Sequence, residues 1–505
     1  MTTAPASPTT PRLDELTSNP RRLDAQRVDK LRRLDAMGYA PPYRFVPTHD
    51  IAQFHATFGR LGVGEEAPDE VAVHGRVDAI RRMAKAIFVD LRDTEGARLQ
   101  MCVQRPAAGP LFDGAALLDT GDRIAVHGRP LRTQKGELSV RAEKLVLLSK
   151  CLQAAPNAGL DAENRLREPW LDRLFDDAAR QRLLARARVK RALHDVMAVE
   201  GYVEIDPPLL SRSYGGAAAR PFVTESNGLG GEQLFLQISP EIALKKCVVG
   251  GLDAVYAVTR NFRNEGIDPS HTPEFDAFEC YRVGADYVDM MDLTERIFRA
   301  CAQAANGTTR VTCRGAEIDF AAPWRRVRMR DAVCEALKLG DPDLDALRDA
   351  LQEHSLDASR ASSEAMAINL LFEARVQETL VQPTIVLDYP EEISPLTRAH
   401  RAAPGLVERF EAFIGGTEFA NAYTELNDPF EQERRLRLQE EERRRGNDEA
   451  HPLDWSFVDA MRCGFPPTGG LGIGLDRMVM LLTSSPTIRA IQTEPLVRSL
   501  PEEAG

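Results

Sequence analysis

The chain has 505 residues, more than a single hydrophobic core usually serves, so we expect two or more domains. Apolar residues make up 43% and charged residues 28%, as in ordinary globular proteins, and no apolar run reaches the roughly 18 residues of a membrane span. The net charge of −12 opposes nucleic-acid binding by the chain as a whole. Its eight cysteines form no Cys-x-x-Cys pair, which argues against structural zinc and disulfides and favours reduced thiols in the cytoplasm.

The N-terminal region contains two predicted parts before the first strand. Residues 1–12 are rich in Thr, Pro and Ala and lack the apolar segment of a secretory signal, so we predict disorder there. The spacing of Leu and Val over residues 13–38 predicts an amphipathic helix within a helical extension that spans residues 13–70. This arginine-rich helix could be a solvated surface or an RNA contact, and the pattern favours neither.

Short strands separated by turn residues begin at residue 71. They are predicted at residues 71–80, 86–93, 97–104, 123–131 and 138–149. Five strands within about 80 residues are typical of a small barrel of the oligonucleotide-binding (OB) type, which we place at residues 71–152.

This predicted barrel is locally basic. Residues 71–150 contain 14 Lys and Arg against 9 Asp and Glu, an excess that can bind a polyanion. Arg76 and Phe88, expected to be exposed, and Gln100 on the neighbouring strand could stack on and hydrogen-bond to unpaired bases. Many five-stranded barrels bind no nucleic acid, so the pattern alone leaves this open.

The second half of the chain follows a predicted linker at residues 153–176. A long helix is predicted at residues 177–199, and a strand after it ends at Pro207-Pro208. Gly216 lies in a loop of small residues that permits close approach of a ligand to the backbone. Glu241 stands near the start of a short helix, where a carboxylate can simply complement the helix dipole.

Residues 255–283 predict two strands joined by a loop that begins at Gly266 and carries His271. Period-2 alternation places two sets of residues on one face each: Asn261, Arg263 and Glu265 on the first strand, and Phe275, Ala277, Glu279 and Tyr281 on the second. A strand buried on both faces would not carry so many charges. The hairpin is therefore either a site or a surface laced with ion pairs.

The run at residues 408–428 holds three glutamates that could belong to one site. Alternation places Asn421 and Glu425 on one face and Glu418 on the other, so either a β-bulge intervenes or Glu418 lies at the entry of the strand. Glu411 lies on the preceding segment, and we see no compensating Lys or Arg. Three such carboxylates predict an oxygen-ligated cation, Mg²⁺ rather than zinc, although a solvated acidic turn is the alternative.

Residues 466–489 run from a glycine-rich strand or turn into an apolar helix. Arg477 lies in the first turn of that helix, where a cation opposes the dipole and therefore needs an anionic partner such as a nucleotide phosphate. The glycine spacing matches neither the dinucleotide-binding fingerprint nor the P-loop.

Several of these motifs resemble those of one enzyme family. FRNE at residues 262–265 with HTPEF at 271–275 resembles motif 2 of class II aminoacyl-tRNA synthetases, GLGIGLDR at 470–477 resembles motif 3, and the helix, strand and proline pair at 177–208 resembles the dimer-forming motif 1. With GGAAARPF and FIGGTEFANAYTELND, they are similar to class II lysyl-tRNA synthetases over nearly the whole chain.

The resemblance implies an α+β fold. An N-terminal five-stranded OB-type β-barrel would bind the anticodon, and residues 177–505 would form a class II synthetase catalytic domain built on an antiparallel sheet with flanking helices. It also implies ATP and L-lysine as substrates, Mg²⁺ as cofactor, tRNA(Lys) and a second copy of the chain as partners, and no membrane.

The resemblance further implies roles for single residues. Arg263, on the α-phosphate and the lysine carboxylate, and Arg477, over the adenine and near the γ-phosphate, would be catalytic. The other ATP-binding residues would be Glu265, His271, Phe275 and Glu411, and Mg²⁺ would be carried by Glu411 and Glu418. The lysine-binding residues would be Gly216, Glu241, Glu279, Tyr281, Asn421 and Glu425.

Three alternatives stay open on the sequence. An aspartyl- or asparaginyl-tRNA synthetase shares the barrel and both motifs, but its pocket needs cationic or amide groups where this chain has Glu425 and Tyr281. A diverged paralogue could activate lysine for a non-standard acceptor. A non-catalytic RNA-binding protein is the third, but RNA binding alone needs no magnesium carboxylates.

Overall fold

The structure, a computed structural model, describes residues 23–105, 109–153, 160–447 and 450–498. The chain divides into two compact units, residues 1–181 and 182–505. The predicted disorder of residues 1–12 lies outside the described residues. Within the described ranges, no helix is long and apolar enough to cross a bilayer.

The first unit contains the predicted five-stranded barrel. Its strands are β1 (Val71–Arg82), β2 (Ala86–Arg92), β3 (Arg98–Gln104), β4 (Arg123–Arg132) and β5 (Leu138–Ser149). They close in the order β1-β2-β3-β5-β4, so the barrel prediction is confirmed. β3 pairs with β5 in parallel and the other neighbours are antiparallel.

The helices of the first unit precede the barrel strands, separate β3 from β4, and follow β5 in sequence. They are α1 (Ala25–Ala36), α2 (Ile51–Phe58), α3 (Gly109–Ala116), α4 (Ala162–Arg167), α5 (Pro169–Phe175) and the start of α6 (Asp177–Val199). Asp24 caps α1 and Asp50 forms a capping box with Gln53 on α2, which satisfies the free N–H groups of each first turn. α4 and α5 occupy the predicted linker, and α6 has the predicted bounds.

The second unit is built on an eight-stranded sheet that is mostly antiparallel. Its order is β14-β15-β16-β17-β18-β11-β10-β6, with parallel pairs only at the two ends. The strands are β6 (Val203–Glu204), β10 (Ala254–Phe262), β11 (Glu274–Val283), β14 (Arg325–Arg328), β15 (Thr384–Pro390), β16 (Leu406–Ile414), β17 (Thr417–Thr424) and β18 (Thr468–Ile473). Small sheets are formed by β7 (Leu210–Ser211), β8 (Val223–Ser226) and β9 (Glu232–Leu236), and by β12 (Arg310–Cys313) and β13 (Ala316–Asp319).

The helices of the second unit pack on both faces of the large sheet. They are α7 (Glu241–Val249), α8 (Tyr287–Asn306), α9 (Met329–Leu337), α10 (Leu344–Glu353), α11 (Glu364–Leu371), α12 (Pro429–Arg444), α13 (Trp455–Arg462) and α14 (Leu475–Leu482). The observed mixture of helices and a mainly antiparallel sheet confirms the α+β class.

Alternation along the central strands separates a core face from an open face. Phe278 and Cys280 on β11 enter the main core with residues of α6, α8 and α14. On the opposite face, two smaller cores cover only the ends of the sheet: Tyr281 packs with α7 and α13, and Phe413 packs with α9 to α11. The polar side chains of the central strands therefore face the space between two groups of helices.

Candidate functional site

The predicted hairpin is present as β10 and β11 and forms the floor of the site. Phe275, Glu279 and Tyr281 occupy alternate positions of β11, as predicted, while Asn261 pairs with Phe275 across the hairpin. β10 ends at Phe262, so the loop begins before the predicted Gly266. Arg263 stays close to β11 because its backbone N–H donates to the carbonyl of Pro273 at 2.9 Å, whereas Glu265 is exposed in the loop.

Gly216 and Glu241 meet at one wall of the site. Gly216 has φ +83°, and a Cβ built on it would lie 2.7 Å from both Glu241 Cβ and Ser239 Oγ, so only glycine fits. Glu241 is the first residue of α7 and is buried. Ser239 Oγ accepts the backbone N–H of Glu241 at 3.1 Å and donates to Glu279 Oε1 at 2.9 Å, so it orients two of the predicted carboxylates.

A protein lysine bridges two of the site's carboxylates. Lys245, one helical turn after Glu241, donates from Nζ to Glu241 Oε1 at 2.6 Å, and Nζ lies 2.5 Å from Glu425 Oε2. All three side chains are buried, and Glu425 Oε1 has no hydrogen-bond partner among the described residues. Burial lowers the pKa of Lys245, but Glu241 and Glu425 outweigh burial and raise it above its usual value.

The site has more buried negative charge than Lys245 can balance. Glu279 accepts from Ser239 and from Tyr281 OH at 3.1 Å, neither of which carries a positive charge. Burial, followed by the Glu241 carboxylate, raises the pKa of Glu279 to about 8. Burial also raises the pKa of Glu425, although Lys245 favours its charged form. A cationic ligand beside Glu279 and Glu425 would lower both of these pKa values again.

Gly470 on β18 closes the end of this pocket. A Cβ built on Gly470 would lie 2.0 Å from Glu425 Oε1 and 2.7 Å from Tyr281 Cε1. On the same strand, a Cβ at Gly472 would meet nothing nearer than Glu279 Cγ at 3.6 Å, which is an ordinary contact. Glu425 can therefore lie against β18 only because residue 470 has no side chain.

Arg263 and Phe275, both predicted to bind ATP, lie against each other at the hairpin loop. The guanidinium of Arg263 stands over the Phe275 ring, with 5.2 Å between Cζ and the ring centroid. Arg263 Nε is buried without a hydrogen-bond partner in the described part of the chain. Burial lowers the pKa of Arg263, and the nearby Glu265, Glu279 and Glu418 only partly oppose this. The guanidinium is thus positioned for an anionic ligand.

His271 joins the hairpin loop to Arg477. Arg477 Nη2 lies 2.6 Å from His271 Nε2, and because arginine only donates, this nitrogen must accept. The proton of the neutral ring is then on Nδ1, which donates to Asp268 Oδ2 at 2.6 Å. Arg477 Nη1 also donates to the Glu418 carbonyl at 3.1 Å, so Arg477 connects the loop to β17.

A bulge places Glu418 on the same face as Asn421. The register of β16 and β17 shifts between Ala412 and Phe413, so Phe419 is an extra residue and packs into the core beside Ala420. This is one of the two arrangements that the sequence left open. Burial and the nearby Glu411 raise the pKa of Glu418.

The expectation that these glutamates lack compensating cations is wrong. Arg409 Nη2 lies 2.5 Å from Glu411 Oε1, and Tyr389 OH donates to Glu411 Oε2 at 3.0 Å. Arg409 Nε also donates to Asn421 Oδ1 at 3.1 Å, which places Asn421 beside Glu411. In the described ranges, no group of three or more His, Cys, Asp or Glu side chains is arranged to hold a metal.

The three barrel residues lie on the outer faces of β1, β2 and β3, but they are less accessible than expected. Arg76 and Phe88 are half-buried, and Arg76 Nη1 donates to the Gly121 carbonyl at 2.6 Å. Gln100 is buried and its Oε1 accepts from Ser139 Oγ at 3.0 Å. Of the three, only the Phe88 ring needs no hydrogen-bond partner and stays available for stacking.

Lys245 and Arg409 are the two site residues that the sequence analysis missed. Both had local signals, because Lys245 follows Glu241 at i,i+4 on a helix and Arg409 precedes Glu411 by two residues on a strand. Their second partners lie elsewhere in the chain: Asn421 is on β17 and Glu425 directly follows that strand.

The chain matches two family models. Residues 161–498 match the model "tRNA synthetases class II (D, K and N)", and residues 71–148 match "OB-fold nucleic acid binding domain". A lysine--tRNA ligase of Thermosynechococcus vestitus is 42% identical over 497 residues, which cover 95% of this chain and 97% of the relative.

Two further relatives carry the same name. The lysine--tRNA ligase of Prochlorococcus marinus is 42% identical over 94% of this chain and 96% of its own length. That of Moorella thermoacetica is 41% identical over 94% of this chain and 98% of its own length. The family match over residues 161–498 and these near full-length relatives show that the chain belongs to the class II tRNA synthetases, in the family of the lysine--tRNA ligases.

Proposed function

We propose that this protein activates L-lysine with ATP and transfers it to the 3′ end of tRNA(Lys), releasing pyrophosphate and AMP. The observation that carries the proposal is a surplus of carboxylates: Glu241 and Glu425 share Lys245, Glu279 beside them forms no ion pair within the described residues, and Glu425 Oε1 has no partner there. An amino acid with a neutral or acidic side chain would leave this charge buried and unpaired. An aspartyl or asparaginyl specificity is not favoured.

The substrate lysine would lie between α7 and β18. Glu241 would bind its α-ammonium, beside the close backbone approach at Gly216. Glu425, with Tyr281, would bind the side-chain ammonium at the closed end of the pocket, and Glu279 lies between Ser239 and Tyr281 on the same floor. The substrate carboxylate would then point toward Arg263.

Activation needs no protein nucleophile. A lysine carboxylate oxygen would attack the α-phosphorus of ATP in line, and the bond to the pyrophosphate oxygen would break, which leaves lysyl-adenylate and pyrophosphate. Arg263 would hold the attacking carboxylate and the α-phosphate together and stabilise the charge that develops at phosphorus. Phe275 would stack on the adenine, with Arg477, His271 and Glu265 around the nucleotide. The tRNA ribose hydroxyl would then take the acyl group and release AMP.

Glu411 and Glu418 would hold the Mg²⁺ ion. Their oxygen-only donors suit magnesium, and Glu418, which has no carboxylate hydrogen bond within the described residues, has a pKa raised by burial and by Glu411. When bound, the ion supplies neutralisation of phosphate charge. Glu411 is also held by Arg409 and Tyr389, which fix its orientation.

The direct test is amino-acid-dependent exchange of pyrophosphate into ATP, followed by charging of bulk tRNA. Lysine should support both reactions, while aspartate and asparagine should support neither. Exchange with aspartate and none with lysine would overturn the amino-acid assignment. Exchange with lysine but no charging of tRNA would point to a different acceptor.

We expect Gly470→Ala to lower kcat/KM for lysine by about 10²-fold or more. Its methyl group would collide with Glu425 and Tyr281, and overpacking that displaces a binding group costs on the order of 1–3 kcal/mol or more. Steady-state pyrophosphate exchange with lysine varied measures this. Gly472→Ala is the matched control and should lose much less, because its methyl group makes only ordinary contacts. Equal losses in both variants would contradict the role assigned to Gly470.

The barrel would bind the anticodon through stacking on its outer face. We expect Phe88→Ala to lower kcat/KM for tRNA about tenfold, since base stacking on an aromatic ring contributes roughly 1–3 kcal/mol. Lysine-dependent pyrophosphate exchange should not change, because it does not involve the anticodon. Phe88→Tyr keeps the ring and should charge tRNA almost normally. A loss of exchange in Phe88→Ala would instead indicate a folding defect.

Two further properties are part of the proposal. Val203, Leu209 and Leu210, which follow α6, expose 50%, 40% and 48% of their surface, and this apolar segment supports a second copy of the chain as partner. Sedimentation of the purified protein would show a dimer, and a monomer would contradict it.

All eight cysteines are free, which supports a reducing compartment such as the cytoplasm.

A further inference from the structure

We propose that Lys245 is a positioning residue that sets the charge of the lysine pocket. Its ammonium holds the Glu241 and Glu425 carboxylates in place and puts one positive charge between them, so that the pocket selects an amino acid with two ammonium groups. This inference rests on the proposed function and adds a residue that does not itself bind the substrate.

The geometry supports a bridge and not a surface ion pair. Lys245 is completely buried, and its Nζ lies 2.6 Å from Glu241 and 2.5 Å from Glu425, the two carboxylates proposed to bind the two ammonium groups of lysine. The rings of Tyr281 and Phe457 enclose it, with centroids 5.7 and 5.8 Å from Nζ. Such an ammonium cannot leave toward solvent without opening the pocket.

The charges balance when a dibasic amino acid binds. When the ligand's ammonium groups hold Glu279 and Glu425 in their charged form, the three carboxylates with Lys245 carry two net negative charges, which is the number of ammonium groups on lysine. The substrate carboxylate faces Arg263, whose Nε has no partner within the described residues. Without Lys245 the pocket would hold three closely spaced carboxylates and would take up a proton instead of a substrate ammonium group.

Other titratable groups around this bridge do not replace Lys245. They are Glu279 and Tyr281 on β11, Tyr423 at the end of β17, and His451 before α13, with Arg263 acting on Glu279. Burial, followed by Lys245, lowers the pKa of His451 to about 4, so its ring is neutral at physiological pH. The tyrosines are neutral as well, because burial raises their pKa values. Lys245 is therefore the internal cation that contacts Glu241 and Glu425.

The test compares Lys245→Met with the wild-type protein in lysine-dependent pyrophosphate exchange across pH. Removing the cation should shift the acid limb of kcat/KM for lysine upward by about one pH unit or more and raise KM for lysine about tenfold or more. KM for ATP should stay within about twofold, since the ammonium lies away from Arg263 and Phe275. Lys246→Met is the matched control: Lys246 donates to Ser456 Oγ at 2.7 Å, outside the pocket, so its pH profile should match the wild type.

Two charge variants keep the test decisive. Lys245→Gln lacks the charge but can donate hydrogen bonds and should behave like Lys245→Met, so it replaces that variant if the methionine does not fold. Lys245→Arg keeps the charge and should retain the wild-type acid limb even if kcat falls. The proposal would be overturned if the uncharged variants kept the wild-type acid limb and the wild-type KM for lysine and showed only a lower Tm. Absence of lysine-dependent exchange in the wild type would overturn the proposed function itself.

Discussion

We expect Glu425→Gln to lower kcat/KM for lysine in pyrophosphate exchange by about 10³-fold, because truncating one partner of a buried charge pair costs on the order of 2–5 kcal/mol. The amide keeps the shape of the side chain, so the close contact with Gly470 is unchanged, but it removes the charge proposed to bind the side-chain ammonium of the substrate. It also leaves Lys245 with Glu241 as its only contacting carboxylate in the described part of the chain. KM for ATP should hardly change.

The experiment measures lysine and ATP dependence separately at one pH. Glu433→Gln is the matched control, because Glu433 is a solvated glutamate on α12 that pairs with Arg437 and Arg462. Its kinetics should match the wild type, since exposed ion pairs contribute little. If Glu425→Gln loses less than about tenfold, or loses lysine and ATP affinity equally, the pocket end does not select the ammonium group.

We expect Arg263→Lys to lower kcat for pyrophosphate exchange by about 10²–10³-fold, although the positive charge is retained. Lysine has a single ammonium group and cannot present the planar fork that holds two anionic oxygens at once. The stacking of the guanidinium on Phe275 at 5.2 Å would also be lost. KM values for lysine and ATP should rise much less than kcat falls, because the contact is proposed to strengthen as charge develops at phosphorus.

Arg260→Lys provides the control on the same strand. Arg260 pairs with Glu274 and with Asp276, the latter at 2.6 Å, and takes no part in the proposed nucleotide contacts. Its kcat should stay within a few fold of the wild type. Equal losses in Arg260→Lys and Arg263→Lys would show that the hairpin responds to general disruption and not to the loss of the proposed phosphate contact.

Much of the site followed from local pattern. Period-2 alternation correctly put Phe275, Glu279 and Tyr281 on one face of β11, since a strand has only two faces and the other is buried in the core. Glu418 and Asn421 lie on the same face of β17 only because a bulge lies between them. Alternation indicated that a bulge could be needed but not at which residue it occurs. The sequence predicted that the first strand continues to Glu265. In the structure β10 ends at Phe262, so Glu265 lies in an exposed loop.

Burial on the barrel could not be predicted in the same way. Gln100 alternates correctly with the core residues of β3, so the pattern indicated an accessible outer side chain. Ser139, brought beside it by the parallel pairing of β3 with β5, donates to its amide oxygen. That pairing joins strands with another strand between them in sequence, and no local pattern reports such a neighbour.

The sequence by itself determined the kinds of element and most strand faces, because periodicity is a local property, while its resemblance to one family supplied the proposed nucleotide and lysine contacts. Only the tertiary structure decided which charges are shared: Lys245 with both Glu241 and Glu425, and Arg409 with Glu411 and Asn421. The contacts of Lys245 with Glu425 and of Arg409 with Asn421 join segments that become neighbours only when the sheet assembles and α7 packs on it. Burial there decides whether a carboxylate is balanced by the protein or left for a substrate.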